Sequence, residues 1–225
     1  MAIDFSRVNA ICFDVDGTLS DTDDQFVNNL VRFLKPVRFV FHQQDVLPVA
    51  RKLVMFTEGP GIWLYGVADK LGLDGKIVTL GDRLYEMGIG ETSEPYCLID
   101  GVWQMLVTLR DRFPLSIISN RGQKSTLRFL FQFELVSFFT AVATGQTCRH
   151  TKPYPDPIYW AADKMGVSAS SCLMIGDTVT DILAGKNAGA QTIGVLCGFG
   201  DETELRRAGA DAIIKNTADL VDMIY

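Results

Sequence analysis

Ala10-Ile11-Cys12-Phe13-Asp14-Val15-Asp16-Gly17-Thr18-Leu19 is the stretch whose reading decides the fold. An apolar run from Val8 to Phe13 ends in two carboxylates two residues apart, followed by a glycine and a hydroxyl residue. Such a run reads as a short strand buried on both faces, the pattern of a parallel sheet. Side chains two apart on a strand share a side, so Asp14 and Asp16 can converge on one small site. Gly17 permits the sharp turn that ends the strand. In open α/β sheets, ligands bind at this carboxyl end. Two carboxylates there repel unless a cation lies between them, which implies Mg²⁺. The same four residues also suit an ordinary turn. A calcium loop fails on spacing: counted from Asp14, the glycine position holds Leu19 and the closing acidic position holds Gln25.

Working outward, Ser20-Asp21-Thr22-Asp23 offers helix N-caps. Apolar residues then recur at helical spacing over Phe26–Leu34, Gln43–Phe56, Ile62–Leu71 and Ile77–Met87, with a break at Glu58-Gly59-Pro60-Gly61. Beyond residue 95 the rhythm changes to alternating strands and helices. Strands are expected at Leu115–Ile118, Thr140–Ala143, Ser171–Ile175, Gln191–Leu196 and Ala212–Ile214. Helices are expected at Gly101–Arg112, Gln123–Phe133, Pro155–Met165, Thr180–Ala188, Glu202–Ala208 and Ala218–Ile224. This alternation means right-handed βαβ units and a parallel, Rossmann-like α/β core. Residues 1–19 and 96–225 form that core in this reading. Residues 20–95 form an α-helical cap inserted after the first strand, with Gly88-Ile89-Gly90 as part of a hinge.

Composition narrows the class. The chain has 225 residues, 48% of them apolar, enough for a sizeable core. A net charge of −6 leaves no basic excess to neutralise phosphates, so no nucleic-acid partner is expected. No apolar window is long enough for a membrane span, and the N-terminus does not read as a signal peptide, which points to a cytoplasmic protein. The five cysteines have no zinc or disulfide spacing; Cys12 and Cys172 fall in apolar runs and read as core. Trp63, Trp103 and Trp160 also read as core, and His42 and His150 as ordinary surface or packing residues.

Three later segments fall at strand ends or before a helix: Ser119-Asn120, Lys152 ahead of Pro153, and Gly176-Asp177-Thr178-Val179-Thr180-Asp181. Each alone has a plain explanation as a turn, a surface lysine or a helix cap. In this order, with Asp14-Val15-Asp16-Gly17-Thr18, they resemble the four motifs of the haloacid dehalogenase superfamily, within its phosphoglycolate phosphatase-like group. The resemblance spans essentially the whole chain, and no motif residue is substituted.

It implies a Mg²⁺-dependent phosphatase acting on a small phosphorylated metabolite similar to 2-phosphoglycolate. Asp14 would be the nucleophile and Asp16 the general acid and base. Mg²⁺ would be held by the Asp14 side chain, the Asp16 carbonyl and Asp177, with Asp181 behind them, holding a bound water or orienting Lys152. Ser119, Lys152, and the amides around Gly17, Thr18 and Asn120 would bind the phosphoryl oxygens. A phosphomutase, nucleotidase or pyrophosphatase would share these motifs, and a silent binding protein could share the fold; Asp16 argues against a dehalogenase. Arg51, Lys52 and the 58–61 turn are candidate substrate contacts within the cap.

Overall fold

The computed structural model describes residues 3–21 and 96–224. The four helices expected between Phe26 and Met87, the glycine hinge, Arg51, Lys52, the 58–61 turn, His42 and Trp63 lie outside the described residues.

Six strands form one sheet: β1 (Ala10–Phe13), β2 (Leu115–Ile118), β3 (Ala141–Ala143), β4 (Cys172–Gly176), β5 (Gln191–Val195) and β6 (Ala212–Ile214). Their order is β3-β2-β1-β4-β5-β6, and every pairing is parallel. The helices between them are α1 (Val102–Arg110), α2 (Gln123–Gln132), α3 (Asp156–Met165), α4 (Val179–Asn187), α5 (Glu202–Ala208) and α6 (Leu220–Ile224). This is the α/β Rossmann-like architecture the alternation implied.

β1 lies between β2 and β4, with Phe13 opposite both Ile117 and Ile175. The direction of winding reverses at β1 and β4, and ligands in such sheets bind at that reversal, beyond the carboxyl ends. The register therefore brings Asp14, Ser119 and Asp177, each just past its strand, to one edge.

The two faces of the sheet differ in grain. Ile11, Phe13, Leu173 and Ile175 point into a bulky core with Val102, Leu106 and Leu109 of α1, Phe129 and Leu130 of α2, and Leu220 of α6. Ala10, Cys12, Cys172 and Met174 face the other side, against Ile158, Ala161 and Ala162 of α3 and Ala184 of α4. Small residues there bring helices close. A methyl group on Gly185 would collide with Thr192 Cγ2 on β5.

Most element boundaries move by a residue or two from those expected. Val8 closes a short 3₁₀ turn instead of opening β1. α6 starts later than Ala218 because Asn216 and Asp219 cap each other's backbone across a 3₁₀ turn, Thr217–Asp219. Trp103 is a correction: it is 44% exposed, packed edge-on to Phe138 at 6.1 Å between centroids, because α1 turns its buried stripe of Val102, Leu106 and Leu109 away from it. Trp160 is half-buried against the small-residue core.

The two described segments, 3–21 and 96–224, also meet where the first ends and the second begins. Asp21 N donates to Cys97 O at 2.9 Å, Ile99 N to Leu19 O at 3.0 Å, and Ser20 Oγ to Cys97 O at 3.2 Å. Gln132 of α2 holds the start of the second described segment by both backbone groups of Tyr96: its Oε1 accepts from Tyr96 N and its Nε2 donates to Tyr96 O.

Candidate active site

Three buried carboxylates and one buried lysine form the centre. Asp14, Asp177 and Asp181 each bring a carboxylate oxygen within 4.8 Å of the others. Lys152 is 5% exposed, and its Nζ donates to Asp14 Oδ1 and to Asp181 Oδ1, each at 2.6 Å.

Each side chain is held by its local structure. Asp181 sits in the first turn of α4, where its Oδ2 accepts from Thr178 N at 2.9 Å and Thr178 Oγ1 at 2.6 Å. This is a capping box, so one carboxylate both starts the helix and grips the lysine. Asp177 Oδ2 accepts from Phe199 N at 2.8 Å, and Thr18 Oγ1 lies 3.4 Å from Asp177 Oδ1 as a donor. Gly17 and Gly198 crowd this carboxylate so closely that a Cβ on either would strike Asp177 Oδ2. Gly17 also has a φ of +69°, which favours glycine.

Lys152 is positioned by its backbone. Its N donates to Asn120 Oδ1 at 3.0 Å, and Asn120 Nδ2 donates to Lys152 O at 3.1 Å. The Asn120 side chain thus serves Lys152. Ser119 is buried at the end of β2, and its Oγ accepts from Arg121 N at 3.1 Å. Gly17 N donates to Ser20 O at 2.9 Å and Thr18 N to Val15 O at 3.3 Å, so both amides are engaged within the turn after β1.

Asp16 stands apart from the carboxylate cluster. It forms a close ion pair through Oδ1 with Arg121 Nη2. Arg121 also lies over the Tyr96 ring, 4.9 Å from its centroid. Sequence reasoning missed this arginine. The available signal was its place directly after Ser119-Asn120, at the end of a strand neighbouring β1.

The electrostatics follow from burial. Burial pushes the Asp14 carboxyl up to about 7; Lys152 pulls against the rise, while Asp181 and Asp16 add to it. Burial alone would lower Lys152, but Asp14 and Asp181 outweigh it and raise the ammonium above its ordinary value. Lys152 therefore stays charged. With the carboxylates ionised, the three contribute −3 and Lys152 +1, leaving −2. An all-oxygen donor set carrying that charge fits a hard divalent cation.

The sequence profile of the haloacid dehalogenase-like hydrolase family matches residues 11–195. The chain belongs to that family. Within the superfamily it falls in the phosphoglycolate phosphatase-like group, and it is a phosphatase. Among relatives of this haloacid dehalogenase-like hydrolase, a pyrophosphatase, PpaX, from Oceanobacillus iheyensis is 26% identical over 96% of this chain and 97% of its own. A phosphoglycolate phosphatase from Neisseria gonorrhoeae is 28% identical over 88% of this chain and 84% of its own. A solved haloacid dehalogenase-like hydrolase from Streptococcus pneumoniae superposes with a TM-score of 0.70 at 18% identity, covering 98% of this chain and 100% of that one. No helix among the described residues is long and apolar enough to cross a membrane.

Proposed function

We propose that this phosphatase is a Mg²⁺-dependent phosphomonoester hydrolase of small metabolites that carries the phosphoryl group on Asp14 between two displacement steps. The observation that carries the reading is Lys152 Nζ bridging Asp14 and Asp181 inside a buried carboxylate cluster. A surface ion pair would not bury three carboxylates around one ammonium.

Asp14 attacks phosphorus in line, forming an aspartyl phosphate and expelling the alcohol. Asp16 protonates the departing oxygen, then removes a proton from the water that releases phosphate. Lys152 and the Ser119 hydroxyl face the equatorial phosphoryl oxygens and offset their charge as it redistributes. Asp181 orients Lys152, and Asn120 fixes its backbone. Asp14, Asp177 and the Asp16 carbonyl, with Asp181 behind them, would hold Mg²⁺, which would supply positive charge for a phosphate dianion to meet an ionised carboxylate. A buried Asp14 whose carboxyl resists ionisation is a nucleophile in need of that charge.

The leading substrate is 2-phosphoglycolate, a phosphomonoester that the name of one relative supports; a pyrophosphatase is the alternative, supported by the name of another. Five free cysteines suit a reducing, cytoplasmic setting. The test is phosphate release from 2-phosphoglycolate, pyrophosphate, sugar phosphates and nucleotides, with and without Mg²⁺. One small substrate hydrolysed far faster than the rest, only with metal, is expected. Equal turnover in excess chelator would overturn the metal's role, and phosphate transferred between sugar positions without release would make the enzyme a mutase.

A further inference from the structure

We infer that Arg121 is a positioning residue for Asp16, a role that rests on the acid–base assignment of Asp16 proposed above. Three contacts converge on this side chain. Its Nη2 grips Asp16 Oδ1. Its guanidinium lies over the Tyr96 ring at 4.9 Å. Its backbone is fixed at both ends, with N donating to Ser119 Oγ at 3.1 Å and O accepting from Gly145 N at 2.9 Å.

The arrangement is built as a support. The arginine side chain is only 13% exposed, although it carries a full charge, and the carboxylate it holds is 34% exposed. A surface arginine steadying a loop would stay in water. Tyr96 is itself held edge-to-face on Phe129 at 5.8 Å and by both backbone bonds from Gln132. The guanidinium thus rests on a ring anchored to α2, and the planar fork transmits that rigidity to Asp16. Free rotation would let the Asp16 carboxylate swing, since the turn after Asp16 passes through Gly17. Proton transfer requires the carboxylate within hydrogen-bond reach of the oxygen leaving or attacking phosphorus, so its direction matters as much as its presence.

Arg121 also joins two separate parts of the chain. Asp16 lies near the end of the first described segment, and Tyr96 opens the second. One side chain contacts the acid–base group and Tyr96 together. The pairing is specific to a planar cation that can stack and donate at once. Lysine could supply the charge and not the stacking.

The test measures kcat/KM of wild type, Arg121→Ala, Arg121→Lys and Asp16→Asn with two Mg²⁺-supplemented substrates. One is an alkyl phosphate, whose alkoxide must be protonated to leave; the other is p-nitrophenyl phosphate, whose phenolate leaves unaided. Arg121→Ala is expected to lose at least about tenfold with the alkyl ester and about threefold or less with the aryl ester, part of the 10²–10⁴ that a placed acid supplies. Arg121→Lys should recover part of the alkyl rate. In the Asp16→Asn background, adding Arg121→Ala should cost nothing further with the alkyl ester.

Equal losses with both esters, or no loss with either, would overturn the positioning role. If Arg121→Ala does not fold, the Arg121→Lys comparison of the two esters decides the same question. Wild type inactive on both esters and on the whole metabolite panel above would instead refute the proposed hydrolysis, which separates the two failures.

Discussion

Replacing Asp14 with Asn should abolish turnover and stabilise the metal-free protein, with a gain that grows with pH. Burial pushes the Asp14 carboxyl up to about 7 even though Lys152 pulls it down. In the unfolded chain the same group titrates near about 4. Between those values the folded protein holds a proton that the unfolded chain has released, so stability falls as pH rises through the window. Above it, Asp14 is ionised in both states and the whole penalty is present. A shift of about 3 pKa units corresponds to about 4 kcal/mol. The attraction of Lys152 is already contained in that figure, because it helps set the folded value. An amide is neutral at every pH and nearly the shape of the protonated acid, so the variant escapes the penalty.

The assay is urea unfolding of both proteins in excess chelator at a series of pH values from 4.5 to 8. Groups common to both proteins cancel in the difference. The Asn variant should exceed wild type by about 2–4 kcal/mol at pH 8 and by less than about 1 kcal/mol at pH 4.5, with m unchanged. A difference that stays flat with pH, or a variant weaker than wild type at pH 8, would refute the claim that a buried, poorly ionised carboxylate sits at the end of β1. Adding Mg²⁺ should stabilise wild type more than the variant, since the variant offers no charge at position 14.

Asn120→Ala removes both bonds that hold the Lys152 backbone and should lower kcat/KM by about 10–100-fold with little change in thermal midpoint, as for other supports of charged site groups. Gly198→Ala drives a methyl into Asp177 and should raise the Mg²⁺ concentration for half-maximal rate by at least about tenfold, measured by metal titration of activity. Phe129→Ala empties a fully buried position under Tyr96 and should cost about 3–5 kcal/mol in denaturant unfolding.

The central strands were readable because β1, β2 and β4 are buried on both faces, which leaves nearly continuous apolar runs, broken in β2 only by the buried Ser116. Ile117 and Ile175 could be nothing but core in such runs. Helix starts were less legible, because capping moves them by one or two residues through side chains that also suit turns. Asn216 and Asp219 show this at α6, and Pro155 does so at α3, where it stands just outside the helix. Trp103 misled because an aromatic on an amphipathic helix carries no mark of which side it takes; its neighbours Val102 and Leu106 already filled the buried stripe.

The site divides along the same physical line. Asp14 stood out because paired carboxylates at an apolar strand end are expensive to bury without a reason, whereas Asp177 and Lys152, each with a plain explanation alone, stood out only in their order behind Asp14. Their supports did not stand out. Asn120 could equally have pointed to ligand; only the approach of residue 152 to the end of β2 makes its amide a clamp on the lysine backbone. Arg121 meets Asp16 across a sequence separation of 105, and that meeting depends on β1 and β2 being neighbours in the sheet. Once strand order is known, the residue following Ser119-Asn120 must emerge beside the turn after β1, close to Asp16. A cation there has a carboxylate to answer. The paired carboxylates after β1 are therefore legible from their own chemistry and Lys152 and Asp177 from their order along the chain, whereas the groups that aim them are legible only from topology.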